Sequence, residues 1–218
     1  MVAVVLAAGA GSRYAGATHK LDAVLDPDGP DRRTVLRRAV DAALASTIGP
    51  VVVVTGAPIT TALPDAVTVV ANPRWATGQM TSLLTGLSAA AGLGAWAAVV
   101  GLGDQPFVTP SAWRAVAEAP ADLPIAVAAY AQADGRSRRG NPVRLRADVW
   151  PLLTPADAPS ADDHTTAWRD HGARELMHLR PELVGEVPCP EPGPHRDADI
   201  DTLEDLARWQ INSSTSSP

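Results

Sequence analysis

The sequence of 218 residues has one cysteine, one phenylalanine and one lysine, and it has no long apolar run. The single cysteine, Cys189, excludes an intrachain disulfide framework and a metal centre with several cysteine ligands. No apolar stretch approaches the roughly 18 residues that a transmembrane helix requires. The N-terminus also lacks the basic leading segment of a signal peptide, so we expect a cytoplasmic protein that does not bind membranes.

Acidic residues outnumber basic ones, and the formal net charge is −6 at pH 7. This balance argues against a general nucleic-acid binder, which needs a basic surface, but it allows a small anionic ligand. The composition, 46% apolar and 19% charged, is that of an ordinary folded protein. The length suits one domain, which we expect over residues 1–211, followed by a disordered polar tail over residues 212–218.

The basic residues are 17 arginines and a single lysine, Lys20. A genome rich in G and C favours arginine codons, and this bias explains most of the imbalance. It leaves Lys20 as the exception, and Lys20 lies close in sequence to the most glycine-rich loop of the chain. We therefore treat Lys20 as a candidate functional residue.

Short apolar runs alternate with stretches that have helical spacing. The predicted strands are Val2–Ala8, Val51–Thr55, Val67–Ala71, Ala97–Leu102, Ile125–Tyr130, Asn141–Leu145 and Leu183–Val187. The predicted helices are Thr34–Thr47, Gln79–Ala91, Ser111–Glu118, His164–Arg180 and Thr202–Gln210, and polar loops are predicted over Asp134–Arg139 and Pro155–Asp163. Strands that alternate with helices predict an α/β fold with a doubly wound, mostly parallel sheet.

The segment Leu6–Arg13 reads as the end of a buried strand that runs into a loop of small residues. The glycines of this loop let backbone amides turn towards an anion, and its arginine and Lys20 add positive charge. No Gly-Lys-Ser/Thr follows, so it is not a P-loop, and Tyr14 stands where a dinucleotide fingerprint has its third glycine. An ordinary glycine turn after a strand remains the alternative for the Gly-x-Gly pattern taken alone.

Acidic residues occur at two further places where a ligand could bind. Asp104 follows a predicted buried strand, at the end where open α/β sheets bind ligands, and a carboxylate there can hold Mg²⁺. Near the C-terminus, Asp197, Asp199 and Asp201 alternate, so they can share one side of an extended segment. A turn or a helix cap is the alternative role for each of these acids.

Six segments together resemble the GT-A-like nucleotidyltransferases, and most closely the molybdenum cofactor cytidylyltransferases of the MobA-like group. The matching segments are Leu6–Lys20, Gly78–Leu87, Val99–Pro106, Arg139–Val143, Asp170–Arg174 and Asp197–Leu206. The resemblance implies the nucleotide-diphospho-sugar transferase fold and transfer of CMP from CTP to the phosphate of molybdopterin, with release of pyrophosphate. It further implies Mg²⁺ or Mn²⁺ as cofactor, and a molybdoenzyme maturation factor as a protein partner.

The resemblance also implies roles for individual residues of this chain. Catalytic roles are implied for Arg13, Lys20 and Asp104. Nucleotide contacts are implied for Leu6, Ala7, Ala8, Gly9, Ala10, Gly11, Ser12, Gln79, Ser82 and Gly103. Acceptor contacts are implied for Arg139, Gly140, Asn141 and Arg174, and metal ligation for Asp104 together with Asp201 or Asp199, of which Asp201 is preferred.

Two positions depart from the family pattern, because His19 replaces the usual proline before the lysine and Asn141 replaces a histidine. These departures leave the acceptor open, so transfer to a sugar or alditol phosphate is an alternative. A non-catalytic nucleotide-binding protein of the same fold is a second alternative. A nicotinamide-dependent oxidoreductase is a third, but it lacks the third glycine and gives Lys20 and Asp104 no role. The expected preference for CTP over GTP rests on Ala8, where family members that transfer a guanylyl group carry glycine.

Overall fold

The structure is a computed structural model, and it describes residues 1–132, 134–153, 173–189 and 198–214. The strands are β1 (Val2–Ala7), β2 (Val51–Thr55), β3 (Val67–Ala71), β4 (Ala97–Leu102), β5 (Ile125–Ala131), β6 (Ser137–Arg146) and β7 (Val184–Pro188). The α-helices are α1 (Val35–Ser46), α2 (Gln79–Gly92), α3 (Pro110–Ala117), α4 (Arg174–Leu179) and α5 (Leu203–Ser214). Short 3-10 turns cover Lys20–Asp22, Trp75–Thr77, Ala147–Leu153 and Pro181–Leu183.

The seven strands form one sheet in the order β3-β2-β1-β4-β6-β5-β7. Strands β3, β2, β1 and β4 are parallel neighbours, and β5 pairs in parallel with β7. Strand β6 runs antiparallel to both of its neighbours, β4 and β5. The predicted mostly parallel α/β fold is therefore confirmed, with one reversed strand inside the sheet.

Both faces of the sheet are buried, which explains why the central strands are continuously apolar. Along β1, Ala3 and Val5 pack into the core on the side of α1 and α3, whereas Val2 and Val4 pack on the side of α2. This alternation follows from the two-residue period of a strand. No helix among the described residues is long and apolar enough to cross a membrane.

The helices begin and pack as their sequences dictate. Thr34 precedes α1, and its side chain accepts a hydrogen bond from the amide of Arg37, which makes it the N-cap. On α2, a Cβ added at Gly86 would lie only 2.5 Å from Val4 of β1. Glycine at this position therefore allows α2 to lie directly on the strand that leads into the glycine loop.

The second half of the chain differs from the prediction in two places. Strand β6 begins at Ser137, inside the segment predicted as a loop, because the β5–β6 hairpin closes through a hydrogen bond from the amide of Gln132 to the carbonyl of Arg136. Polarity suggested a loop there, but exposed strand residues are also polar. Helix α5 continues to Ser214, so residues 212–214, expected in a disordered tail, are helical. The predicted loop Pro155–Asp163 and most of the predicted helix His164–Arg180 lie outside the described residues.

The sheet order determines where loops can meet around a ligand. The chain proceeds from β1 to β2 and β3 on one side and returns to the other side of β1 as β4, so β1 and β4 flank the point where the strand order reverses. Leu6 and Leu102 are register partners near the ends of these two strands. Open α/β sheets bind ligands beyond the carboxyl ends of strands at such a point. The loops after β1 and β4 both lie there.

A buried arginine holds the connection between α3 and β5. Arg144 of β6 is completely buried, and its guanidinium donates hydrogen bonds to four backbone carbonyls, those of Ala117, Ala119, Pro120 and Leu123. These acceptors include the carbonyl groups at the C-terminal end of α3, which have no partner within the helix. One side chain therefore satisfies several buried acceptors at once.

We expect Arg144→Met to lower the free energy of unfolding by about 2–4 kcal/mol, because several buried carbonyls lose their donor together. Urea denaturation followed by circular dichroism measures this change. Arg146→Met is the matched control, since Arg146 also binds two carbonyls of the same loop but is partly exposed. Its loss should stay below about 1 kcal/mol. Equal losses for the two variants would contradict the role given to Arg144.

Candidate active site

The loop that follows β1 turns its carbonyl groups towards protein partners. The carbonyl of Ala8 accepts a hydrogen bond from Ala57 at 3.1 Å, and that of Gly11 accepts one from Tyr14 at 2.8 Å. The carbonyl of Gly9 lies 2.9 Å from the imidazole Nε2 of His19. Gly11 has a φ of +62°, a left-handed conformation that glycine adopts without strain.

The amide groups of the same loop are unused. Within the described part of the chain, no acceptor takes a hydrogen bond from the backbone amides of residues 9 to 12. Successive free amides in a loop of this shape form a concavity that binds anions. The glycine loop therefore has free donor groups of the kind that a phosphate requires.

Lys20 is buried at the centre of a cluster of acids. Its ammonium Nζ donates to Asp104 Oδ2 at 2.6 Å and to Asp201 Oδ1 at 2.8 Å. Burial alone would lower the pKa of Lys20, but the charges and hydrogen bonds of the two carboxylates outweigh it and raise the pKa above its ordinary value. Lys20 is therefore fully charged at neutral pH.

Asp201 also forms an ion pair with Arg13, whose guanidinium lies 2.9 Å from its Oδ2. The Arg13 side chain is 75% exposed, so water screens this ion pair and its contribution to stability is small. An exposed arginine at the mouth of the cluster remains free to move onto an anionic ligand. Arg13 and Lys20 thus give the loop two positive charges of different mobility.

Asp104 follows β4, and its backbone carbonyl accepts a hydrogen bond from the amide of Ile200 at 3.0 Å. This bond brings the C-terminal acidic segment against the end of β4. Asp199 of that segment accepts a hydrogen bond from the side chain of Gln105 at 2.7 Å. Burial, followed by the negative charge of Asp104, raises the pKa of Asp199 to about 6, although the bond from Gln105 opposes the shift.

A cavity of about 410 Å³ opens in front of the loop and the acids. Arg13, Lys20, Asp104 and Asp201 line it. Most of the residues expected to bind nucleotide line it as well: Leu6, Ala7, Ala8, Gly9, Ala10, Gly11, Ser12, Gln79 and Ser82. Two predicted residues do not line it. Gly103 donates to the carbonyl of Leu6 and is packed so closely that an added Cβ would lie 2.9 Å from Leu36. Asp199 is directed to Gln105 instead.

A second cavity of about 530 Å³ adjoins the first, and Leu6, Gln79 and Leu102 line both. The expected acceptor residues Arg139, Gly140, Asn141 and Arg174 all line this second cavity. Its floor is largely apolar: Leu83, Val100, Val127, Val143 and Leu145. The structure therefore places most of the predicted nucleotide residues in one cavity and all four predicted acceptor residues in an adjoining one.

Sequence reasoning missed several residues of these cavities. Trp75 lines the first cavity, and nothing in its sequence context distinguished it from the other tryptophans. Met177 and His178 line the second, three and four positions after Arg174 on α4. That spacing places all three on one helix face, so the signal was available. The contact of His19 with the glycine loop had no sequence signal at all.

The acids fit a divalent cation that also binds phosphate. Oδ1 of Asp104 is buried and has no hydrogen-bond partner in the described ranges, and Oδ2 already faces a cation, the ammonium of Lys20. The described residues contain no group of three or more His, Cys, Asp or Glu side chains able to enclose a metal. Mg²⁺ needs no such group, because it binds through one or two carboxylates, water and substrate phosphates. The donor set agrees with that mode.

Comparison with known proteins identifies the family. The model of the MobA-like NTP transferase domain matches residues 3–183. Among solved structures, Rv0371c of Mycobacterium tuberculosis is 23% identical, with 96% of each chain covered and a TM-score of 0.70. Its manganese complex has also been solved, with a TM-score of 0.66. The search of curated protein sequences returned no match.

Two further structures share the fold. A nucleotidyl transferase of Methanothermobacter thermautotroptrophicus is 23% identical over 99% of this chain and 98% of its own, with a TM-score of 0.68. The 4-diphosphocytidyl-2C-methyl-D-erythritol synthase of Anaerococcus prevotii is 15% identical over 98% and 97%, with a TM-score of 0.63. The family model matches most of this chain, and the solved structures share its fold. The chain therefore belongs to the MobA-like NTP transferase family.

Proposed function

We propose that the protein transfers a nucleotidyl group from a nucleoside triphosphate to the phosphate of a small acceptor. An acceptor oxygen forms a bond to the α-phosphorus, the bond from that phosphorus to the bridging oxygen breaks, and pyrophosphate leaves with the electron pair. The observation that carries the proposal is the buried, charged Lys20 side chain packed against a loop whose amides find no acceptor among the described residues. The connected second cavity gives the acceptor a place beside it.

The reaction requires positioning and charge neutralisation more than proton transfer. An acceptor phosphate is already ionised near pH 7, so no general base is needed. The amides of the glycine loop and Lys20 are donors in place before the reaction, and such preorganised donors stabilise the charge that grows on the leaving pyrophosphate. The exposed Arg13 adds a second, mobile cation. Two adjoining cavities would bring the two reactants together, which lowers the entropic cost of their reaction.

Asp104 and Asp201 are the residues we propose as metal ligands. Both line the first cavity, which we call the nucleotide cavity because we place the nucleotide there, whereas Asp199 does not line it. This difference favours Asp201 over Asp199 as the second ligand. Mg²⁺ or Mn²⁺ bound there would neutralise triphosphate charge. The manganese complex of Rv0371c supports a divalent metal in this fold.

We propose a pterin phosphate such as molybdopterin as the acceptor. The floor of the second cavity is apolar and suits a flat heteroaromatic body, while a sugar or alditol would leave its hydroxyl groups facing aliphatic side chains. Arg139 and Arg174 supply cations for the acceptor phosphate. A sugar or alditol phosphate is the second candidate, and the relation of the fold to an enzyme that makes a diphosphocytidyl alditol favours testing it.

The first test is pyrophosphate release with each of the four nucleoside triphosphates and a panel of molybdopterin, its metal-bound form, sugar phosphates and alditol phosphates. We expect turnover with the pterin, and we expect Lys20→Ala to lower it about 100- to 1000-fold, because one preorganised charge contact contributes about 3–4 kcal/mol in the transition state. Arg37→Ala is the control, since Arg37 forms an ion pair on α1 and lines neither cavity.

Each result of that test has a clear reading. Greater turnover with a sugar phosphate would contradict the pterin acceptor and retain nucleotidyl transfer. Nucleotide binding without pyrophosphate release from any pair would favour a non-catalytic nucleotide-binding protein. If turnover falls less than about threefold in Lys20→Ala, the role given to Lys20 is wrong.

We expect activity to require Mg²⁺ or Mn²⁺ and to disappear in EDTA. Mn²⁺ binding, measured by electron paramagnetic resonance with nucleotide present, should be lost in Asp104→Asn and strongly weakened in Asp201→Asn, because asparagine keeps the shape but not the charge. Asp199→Asn should keep most of the affinity, since Asp199 faces Gln105. Full activity in EDTA, or an unimpaired Asp104→Asn protein, would disprove this metal site.

The preference for CTP rests on Ala8, which lines the nucleotide cavity and is buried. Its methyl group narrows the cavity and disfavours the larger purine by exclusion. We expect Ala8→Gly to shift the ratio of kcat/KM for CTP over GTP towards GTP by about tenfold, within the roughly 1–3 kcal/mol that one such contact contributes. Wild-type protein that uses GTP faster than CTP would contradict the assignment of the base.

A further inference from the structure

His19 contacts two separate backbone groups through its two ring nitrogens. Its Nε2 lies 2.9 Å from the carbonyl of Gly9, and its Nδ1 lies 3.2 Å from the amide of Leu21. An amide can only donate, so Nδ1 must be the unprotonated acceptor. Nε2 therefore carries the proton and donates it to Gly9, and these two contacts assign one neutral tautomer to the ring.

The contact with Gly9 fixes the direction of the next amide. A peptide group is planar and trans, so the carbonyl of Gly9 and the amide of Ala10 point in opposite directions. Holding the carbonyl on His19 aims the amide of Ala10 away from the ring, and Ala10 lines the nucleotide cavity. No acceptor among the described residues takes this amide.

The contact with Leu21 ties the same ring to the turn that carries Lys20. His19 is the N-cap of the 3-10 turn Lys20–Asp22, and an added Cβ at Gly11 would lie 3.1 Å from Lys20 and 3.4 Å from His19. The loop therefore lies directly against the His19 and Lys20 side chains. One imidazole therefore contacts both the loop that carries these amides and the turn that carries Lys20.

We propose that His19 is a positioning residue for the triphosphate: as the Nε2–H tautomer it joins the glycine loop to the Lys20 turn, so that the Ala10 amide and the Lys20 ammonium bind the same anion. His19 itself touches no reacting atom in this role. The inference rests on the proposed nucleotidyl transfer, since it names the residue that shapes the phosphate site of that reaction.

Two variants separate the two contacts. His19→Ala removes both, whereas the short side chain of His19→Asn keeps an acceptor for the amide of Leu21, as a capping asparagine does, and does not reach Gly9. We expect each variant to weaken binding of CTP and of inorganic tripolyphosphate about tenfold, measured by calorimetry, because one oriented donor to a charged group is lost. The KM for nucleotide should rise more than kcat falls.

Thr109→Ala is the matched control, because it removes the N-cap of α3, away from both cavities. It should lower the melting temperature without changing the affinity for tripolyphosphate. A long-range ¹H–¹⁵N spectrum of the wild-type protein, with His19 identified by its absence in His19→Asn, should show the Nε2–H tautomer.

Three results would overturn the proposal: unchanged tripolyphosphate affinity in His19→Ala, wild-type affinity in His19→Asn, or an Nδ1–H ring. Wild-type protein that binds neither tripolyphosphate nor any nucleoside triphosphate would overturn the proposed function, and the role of His19 with it. If the wild-type protein binds and turns over nucleotide and His19→Ala does so equally, only the role of His19 is overturned.

Discussion

The site depends on one buried charge, the ammonium of Lys20. It joins three parts of the chain that are distant in sequence, since Asp104 is 84 residues away and Asp201 is 181 residues away. Transfer of a single ammonium out of water is strongly unfavourable, and two carboxylates at hydrogen-bond distance offset that cost. The pair of acids would in turn repel each other without a cation between them. The lysine and the two acids therefore stabilise one another in the buried state. Their contacts hold together the loops that carry them, at one end of the sheet.

The loops after β1 and β4 begin at the same end of the sheet. Strands β1 and β4 end side by side, with Leu6 opposite Leu102. The carbonyl of Leu6 accepts the amide of Gly103, which locks the start of one loop to the start of the other. The two loops therefore form one rigid rim around the nucleotide cavity.

The orientation of the peptide groups decides which backbone groups the glycine loop presents to the cavity. The carbonyls of Ala8, Gly11 and Gly9 accept hydrogen bonds from Ala57, Tyr14 and His19, and no acceptor within the described ranges takes the loop amides. The same loop with its peptide planes reversed would present oxygens and repel a phosphate. Two backbone amides and one side chain, that of His19, therefore orient the peptide groups that we propose bind the phosphates.

The chemistry of the second cavity differs from that of the first, and the difference follows from sheet geometry. Strands β4, β5 and β6 present alternate side chains on the face that forms its floor, and those side chains are aliphatic. The reversed strand β6 carries Arg139 and Asn141 past this floor to the rim, and α4 adds Arg174. This cavity therefore has an apolar floor with cations at its rim, and the acceptor that we propose was chosen on that basis.

The sequence by itself determined the fold class and the family, and it located the glycine loop after the first strand. Local patterns suffice for these, because a buried parallel strand is continuously apolar and a phosphate loop needs small residues next to it. Asp104 was also predictable, since it follows such a strand. The sequence predicted the polar start of β6 as a loop, because exposed strand residues and loop residues have the same composition.

Only the tertiary structure decided which acid faces Lys20 and what His19 does. Asp199 and Asp201 are two residues apart and equivalent in pattern, and the choice between them follows from how the segment before α5 docks on Asp104 and Gln105. His19 could have been an ordinary loop residue. Its ring reaches Gly9 because the chain turns back at Gly11, and a contact made across a turn depends on the path of the backbone rather than on residue type.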